Sequence, residues 1–198
     1  KINIAFLFCF LDFYQFSIVM NRKLKLDELK RDSLEEFKSK SNHKVVVVLD
    51  NIRSLNNVGS FFRTCDAFNV EKLVLCGITA KPPHKDIRKT ALGATESVEW
   101  EYHEETTEVV KQMKSKGYQV YAIEQALETT ALQDLEVSPE GICVVFGNEV
   151  EGVQDSVIAI CDGVLEIPQF GTKHSLNVSV CGGAVLWEVT KQLISQKG

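Results

Sequence analysis

The sequence predicts an α/β fold, a mainly parallel sheet flanked by helices, and three observations carry that prediction. Short aliphatic runs such as VVVVL (residues 45–49) and ICVVF (residues 142–146) are rich in β-branched residues and do not alternate with polar ones. A strand with that pattern is covered on both faces, as the strands of a parallel sheet are. These runs alternate with segments of helical period, which is the signature of strand–helix–strand units. Stretches rich in Gly, Asn, Ser, Arg and Glu open where several runs end, and α/β proteins place their sites there.

Each element follows in order. Residues 25–38 suit an amphipathic helix with Leu26, Leu29, Leu34 and Phe37 on one side. Strand 45–49 leads to a helix through Val58, Phe61, Phe62, Cys65 and Phe68, then to a strand at 72–76. A loop at 78–86 contains Pro82 and Pro83. Residues 104–116 form a helix ended by Gly117, and 118–123 a strand. Strand 142–146, helix 154–161, strand 164–167 and a long helix from about 175 to 192 complete the chain. No repeat or low-complexity linker divides residues 44–198, so they form one domain, preceded by a helical segment at 20–43.

Composition narrows the class. At 198 residues, 44% apolar and 25% charged, the chain has ordinary globular composition. A net charge of −5 and an isoelectric point near 5.5 do not advertise a nucleic-acid binder, though a local basic face stays compatible. The six cysteines form no C-x-x-C pair and have no His at metal-ligand spacing. Cys65, Cys76 and Cys143 fall in apolar patterns and read as buried thiols in a reducing cytosol, and no metal is expected. Residues 1–19 are apolar and aromatic, but Asp12 is costly within a membrane span, and the small-residue cleavage site of a signal peptide is missing. They are expected to be an extension upstream of a natural start at Met20, outside the fold, with a cytoplasmic protein following and no membrane involved.

Three loops hold the polar residues that a core element would not. In NIRSLNNVGSFFRTCDAF (51–68), Asn57 reads as a helix cap and Gly59 permits a ligand to approach the backbone. Arg63 then falls within an otherwise apolar helix; it calls either for a pocket or phosphate partner, or for an ion pair with Asp66 or Asp50. FGNEVEG (146–152) places Gly147 and Gly152 in a tight strand-to-helix turn that presents Asn148 and Glu149, or merely solvates its acids. In IPQFGTKHSLNVSV (167–180), Pro168 ends a strand, Gly171 turns the chain, and Ser175 and Asn177 open the last helix. There is no G-x-G-x-x-G, P-loop, G-x-S-x-G or H-E-x-x-H. A doubly wound nucleotide-dependent oxidoreductase is therefore disfavoured.

Together the three segments resemble the signature motifs of the SpoU (TrmH-type) RNA 2′-O-ribose methyltransferases of the SPOUT superfamily. The first is similar to N-x-R-S-x-x-N-x-G-S-x-x-R-T-x-D-A-F, the second to F-G-x-E-x-x-G, and the third to I-P-M-x-G-x-x-x-S-L-N-V-S-V. The resemblance runs from about Val45 to the C-terminus with the motifs in order; Gln169 departs from the Met of the third and Val150 from a Gly common in the second. It implies a C-terminal deep trefoil knot, a homodimer packed through the last helix, and S-adenosylmethionine as cofactor. By resemblance Gly147, Ile167 and Leu176, with Ile123 at a preceding strand end, hold that cofactor. The catalytic set implied is Arg63 and Asn57 with Glu149, Ser175 and Asn177.

Methyl transfer to a ribose hydroxyl needs no metal, because the donor's leaving group is already activated by its positive charge. Arginine is fully protonated under ordinary conditions, so Arg63 is better suited to bind a phosphate and stabilise a developing alkoxide than to act as a base. Arg53, Lys85, Arg88, Lys89, Lys173 and His174 lie in or beside the loops and are the expected contacts to an RNA substrate, tRNA or rRNA. The alternative is a knotted RNA-binding protein without catalysis, which the presence of Asn57, Arg63, Glu149, Ser175 and Asn177 disfavours.

Overall fold

The computed structural model describes residues 22–25 and 27–196, in two units, 1–36 and 37–198. The apolar extension at 1–19 lies outside the described residues. Of the helix expected over 25–38, the structure has only α1 (Leu34–Ser39). Its start is set by a reciprocal capping box: the Glu36 backbone N–H donates to Ser33 Oγ at 3.2 Å, and the Ser33 N–H donates to the Glu36 carboxylate at 2.8 Å.

The second unit is built on seven strands: β1 (His43–Asp50), β2 (Val70–Cys76), β3 (Trp100–His103), β4 (Gln119–Ile123), β5 (Thr130–Ala131), β6 (Ile142–Phe146) and β7 (Gly163–Glu166). They form one sheet in the order β3-β2-β1-β6-β4-β7-β5, with every pairing parallel. The sheet is buried on both sides. Val45, Val47 and Leu49 of β1 enter one core, and Val46 and Val48 enter the other. The first core is covered by α2 (Leu55–Ala67), α3 (Lys85–Ala91), α4 (Ala94–Ser97) and α7 (Val178–Gln196). The second is covered by α5 (Thr106–Ser115) and α6 (Asp155–Ile158).

Several elements differ from the sequence expectation, each for a local reason. Helix α2 starts at Leu55, ahead of Gly59 and Ser60, because Ser54 is its cap; Asn57 lies inside the helix and does not cap it. Helix α7 starts at Val178, with Asn177 Oδ1 accepting from the N–H groups of Ser179 (3.0 Å) and Val180 (3.3 Å), so Ser175 lies before it. Strands β3 and β5 and helices α3 and α4 were not anticipated. The first is four half-buried residues at the sheet edge, and the second is only two residues long.

The thiols of Cys65, Cys76 and Cys143 are buried, and burial raises all three, that of Cys76 to about 12. Gly59 has a structural use in place of the expected ligand approach. A Cβ there would lie 2.1 Å from Thr90 Oγ1 and 2.3 Å from the Ile87 carbonyl oxygen, so the glycine lets α3 lie directly on α2. Gly59→Ala is expected to lower stability by about 1–3 kcal/mol, measured by urea unfolding, because backbone has to move to admit the methyl group.

Candidate active site

The three polar loops meet at the carboxyl-terminal edge of the sheet, the general ligand position of open α/β sheets. After β6 the chain turns tightly: Asn148 and Gly152 exchange backbone hydrogen bonds of 3.0 and 2.9 Å, with Gly152 at φ +72°. Gly147 is required by the same turn, since a Cβ there would sit 2.1 Å from the Gly152 carbonyl carbon and the Val153 nitrogen. The turn projects Glu149 towards the β1–α2 loop. Its carboxylate accepts from the N–H groups of Arg53 (2.9 Å) and Ser54 (3.0 Å) and from Asn57 Nδ2 (2.9 Å). Partial burial pushes this carboxyl up, but those hydrogen bonds outweigh it and hold the group below the ordinary carboxylate range.

The chain of contacts continues into the third loop. Asn57 Oδ1 accepts from Asn177 Nδ2 at 3.1 Å and from Ser179 Oγ at 3.4 Å. Glu149, Asn57 and Asn177 thus form one polar chain that stitches the three loops together, each member from a different loop. Asn57 is itself buried, at 8% exposure, so its place in this chain satisfies a polar group that would otherwise be costly there.

This linkage has a pH signature. The Glu149 carboxyl is held lower in the folded state than its ordinary value of 4.5, so its contribution is fully present above that value and is lost as pH falls through the folded value. Glu149→Gln is therefore expected to flatten the acid limb of a stability–pH curve below about 4.5, read by thermal melts.

A cavity of about 400 Å³ opens beside the stitched loops, within the range of small-molecule sites. Gly147, Ile167, Leu176 and Ile123 all line it, as do Glu149, Ser175 and Asn177. Its walls include the apolar side chains of Ile123, Phe146, Leu165, Ile167, Leu176 and Val178. Glu124 and Glu166 also line it and escaped the sequence reading, although both stand at or just past the end of a strand, where a site residue is to be sought. Cys181 lines it too, its thiol raised to about 11 by burial.

Arg63 and Asn57 do not line the cavity. Arg63 is exposed on α2, and among the described residues its guanidinium makes neither a hydrogen bond nor an ion pair. Neither acid that offered an internal ion pair is used that way. Asp50 is buried and accepts from Thr106 Oγ1 (2.6 Å), Asn51 Nδ2 (2.9 Å) and Gln154 Nε2 (2.8 Å), and Asp66 accepts from Ser97 Oγ. Arg63 is thus free for an external anion. Arg53, Lys85, Arg88, Lys89, Lys173 and His174 are all exposed. Lys81, a further loop cation, instead lies 3.8 Å above the centre of the Tyr102 ring. Among the described residues no group of three or more His, Cys, Asp or Glu is placed to hold a metal ion, and no helix is long and apolar enough to cross a membrane.

Comparison with known proteins places this geometry. Residues 44–187 match the model of the SpoU rRNA Methylase family. The tRNA (guanosine(18)-2′-O)-methyltransferase of Thermus thermophilus is 31% identical over 166 residues, covering 83% of this chain and 84% of that protein. The crystal structure of the Aquifex aeolicus TrmH/SpoU tRNA modifying enzyme superimposes with a TM-score of 0.74 at 27% identity, over 83% of this chain and 82% of that one. The AdoMet-bound rRNA methyltransferase of Sinorhizobium meliloti has a similar fold, with a TM-score of 0.72 at 23% identity, over 84% of this chain and 62% of that one.

Proposed function

We infer what this chain does from its family: it belongs to the SpoU rRNA methylases, and it is an S-adenosylmethionine-dependent enzyme that methylates a ribose 2′-hydroxyl of tRNA or rRNA. The observation that carries the reading is the cavity itself, walled by the second and third loops and fixed to the first by the Glu149–Asn57–Asn177 chain. The residues present suit the cofactor. Apolar walls accept an adenine ring, and among the described residues no lysine, arginine or histidine lines the cavity to oppose a cationic ligand.

When bound, the cofactor supplies an electrophilic methyl group on a positively charged sulfur. The ribose 2′-oxygen would take that methyl group through a lone pair, leaving the C–S electrons on sulfur and its own proton to solvent. We assign Arg63 to the RNA, binding the phosphate next to the target ribose and stabilising the oxygen as its proton departs. Asn57, Glu149 and Asn177 hold the loops in register, and Ser175 stands at the cavity wall. Gly147, Ile167, Leu176 and Ile123 are proposed to contact the cofactor. Arg53, Lys85, Arg88, Lys89, Lys173 and His174 provide the phosphate footprint, so RNA affinity is expected to fall steeply between 50 and 200 mM salt, roughly tenfold or more in a filter-binding titration.

A homodimer belongs to the same reading. On α7, Val185 and Val189 are buried, whereas Val180, Trp187 and Ile194 are 60%, 58% and 58% exposed. Spacing by seven residues aligns these three along one face, an apolar stripe suited to a second copy. The C-terminal trefoil knot of the family is likewise proposed, supported by the strand order, which inserts β6 between β1 and β4. A cytoplasmic setting, where tRNA and rRNA are found, goes with it.

The test is transfer of label from methyl-labelled S-adenosylmethionine to total tRNA and, separately, to rRNA. Label recovered in alkali-resistant dinucleotides supports ribose methylation and names the RNA class. Binding of RNA with no label transferred to either class would instead indicate a non-catalytic RNA-binding protein.

A further inference from the structure

The charge of the cofactor cavity is one-sided. Among the described residues three carboxylates line it, those of Glu124, Glu149 and Glu166, and no basic side chain does. Glu149 is committed to the β1–α2 loop by its three hydrogen bonds. Glu124 and Glu166 are not so occupied. Among the described residues Glu124 accepts only from the N–H groups of Gln125 (2.9 Å) and Val153 (3.2 Å), and Glu166 only from Thr129 Oγ1 (3.0 Å). Each accepting oxygen keeps a lone pair, and neither side chain has an ion-pair partner among the described residues.

The two stand in neighbouring positions of the sheet. β4 and β7 are parallel with Ile123 opposite Leu165, so Glu124 and Glu166 follow one step further along adjacent strands. From there the Glu124 carboxylate reaches the turn at Val153 and that of Glu166 reaches Thr129, so negative charge stands at two points of the cavity wall.

We propose that Glu124 and Glu166 determine specificity for the charged form of the cofactor, favouring the sulfonium methyl donor over the neutral thioether that the reaction leaves behind. This rests on the methyltransferase reading above. Donor and product share the adenosine, the ammonium and the carboxylate. They differ by one methyl group and one positive charge, which departs with the methyl group when the C–S electrons return to sulfur. A ligand that loses its charge in the reaction loses its attraction to the two carboxylates at that moment. Binding of fresh donor and release of spent product are then driven by the same pair.

The test is calorimetric titration of the protein with S-adenosylmethionine and with S-adenosylhomocysteine, for wild type, Glu124→Gln and Glu166→Gln. The expected result is a donor Kd raised roughly tenfold in at least one variant, with the product Kd changed less than twofold, the scale of one charge contact near a protein surface. Equal weakening of both ligands would overturn the proposal, since that is what a contact to the shared ammonium or a distorted loop produces. Unchanged Kd values in both variants would overturn it as well. Circular dichroism melts identify a variant that has lost its fold, and the other then carries the test. Wild type that binds neither ligand would count against the methyltransferase reading itself, which separates the two failures.

Discussion

Arg63→Ala is expected to reduce methyl transfer by at least two to three orders of magnitude while leaving the Kd for S-adenosylmethionine within about twofold, the pattern of a residue that acts on the transition state. Arg63 is exposed, lines no part of the cofactor cavity, and makes no ion pair within the described residues, so its removal disturbs neither the fold nor the cavity. Arg63→Lys keeps the charge but loses the planar fork that grips a phosphate through two parallel hydrogen bonds, and should recover only a small part of the rate. Single-turnover methylation with saturating RNA measures the first effect, and calorimetry the second. Turnover in the alanine variant near the wild-type level would remove Arg63 from the reaction.

Gly147→Ala is expected to act differently, weakening cofactor binding as well as lowering turnover. The added Cβ would meet backbone atoms of Gly152 and Val153 at 2.1 Å, and backbone has no rotamer with which to yield. The turn that presents Glu149 has to open, which releases the first loop at Arg53, Ser54 and Asn57. A Kd for S-adenosylmethionine raised more than tenfold, with stability lowered by about 1–3 kcal/mol, is the predicted outcome. Calorimetry and urea unfolding check the two parts, and unaltered cofactor affinity would show that the turn does not shape the cavity.

The sequence made some of this architecture plain and concealed the rest for physical reasons. Strands β1 and β6 were legible because burial on both faces demands uninterrupted aliphatic runs. Strand β3 was not, because four half-buried residues, WEYH, at a sheet edge carry no such pattern. The loop holding Pro82 and Pro83 hid the start of α3, which His84 caps through Nδ1. Asn57, Glu149, Ser175 and Asn177 were legible as polar residues in the loops, and they line or brace the cavity; Gly147, Ile167, Leu176 and Ile123, which also line it, came as cofactor contacts only from the family resemblance. The division of labour was not legible. Asn57 and Asn177 bond across 120 residues of chain, and Glu149 reaches back 92 residues to Asn57, partnerships that no local spacing encodes. Glu124 and Glu166 were passed over because the strand ends they occupy lie outside the motif segments.

The strand order sets a condition on biosynthesis. β1 can pair with β2 as soon as both have left the ribosome, but its other edge waits for β6, about a hundred residues later in the chain. Until then a nascent chain holds an open strand edge with an aliphatic centre, Val45 to Leu49, the kind of surface that recruits other chains. Parallel pairings between distant segments also close slowly, because long loops must be ordered first. Production of this protein is therefore expected to depend on slow translation, low temperature or chaperones more than its final stability would suggest.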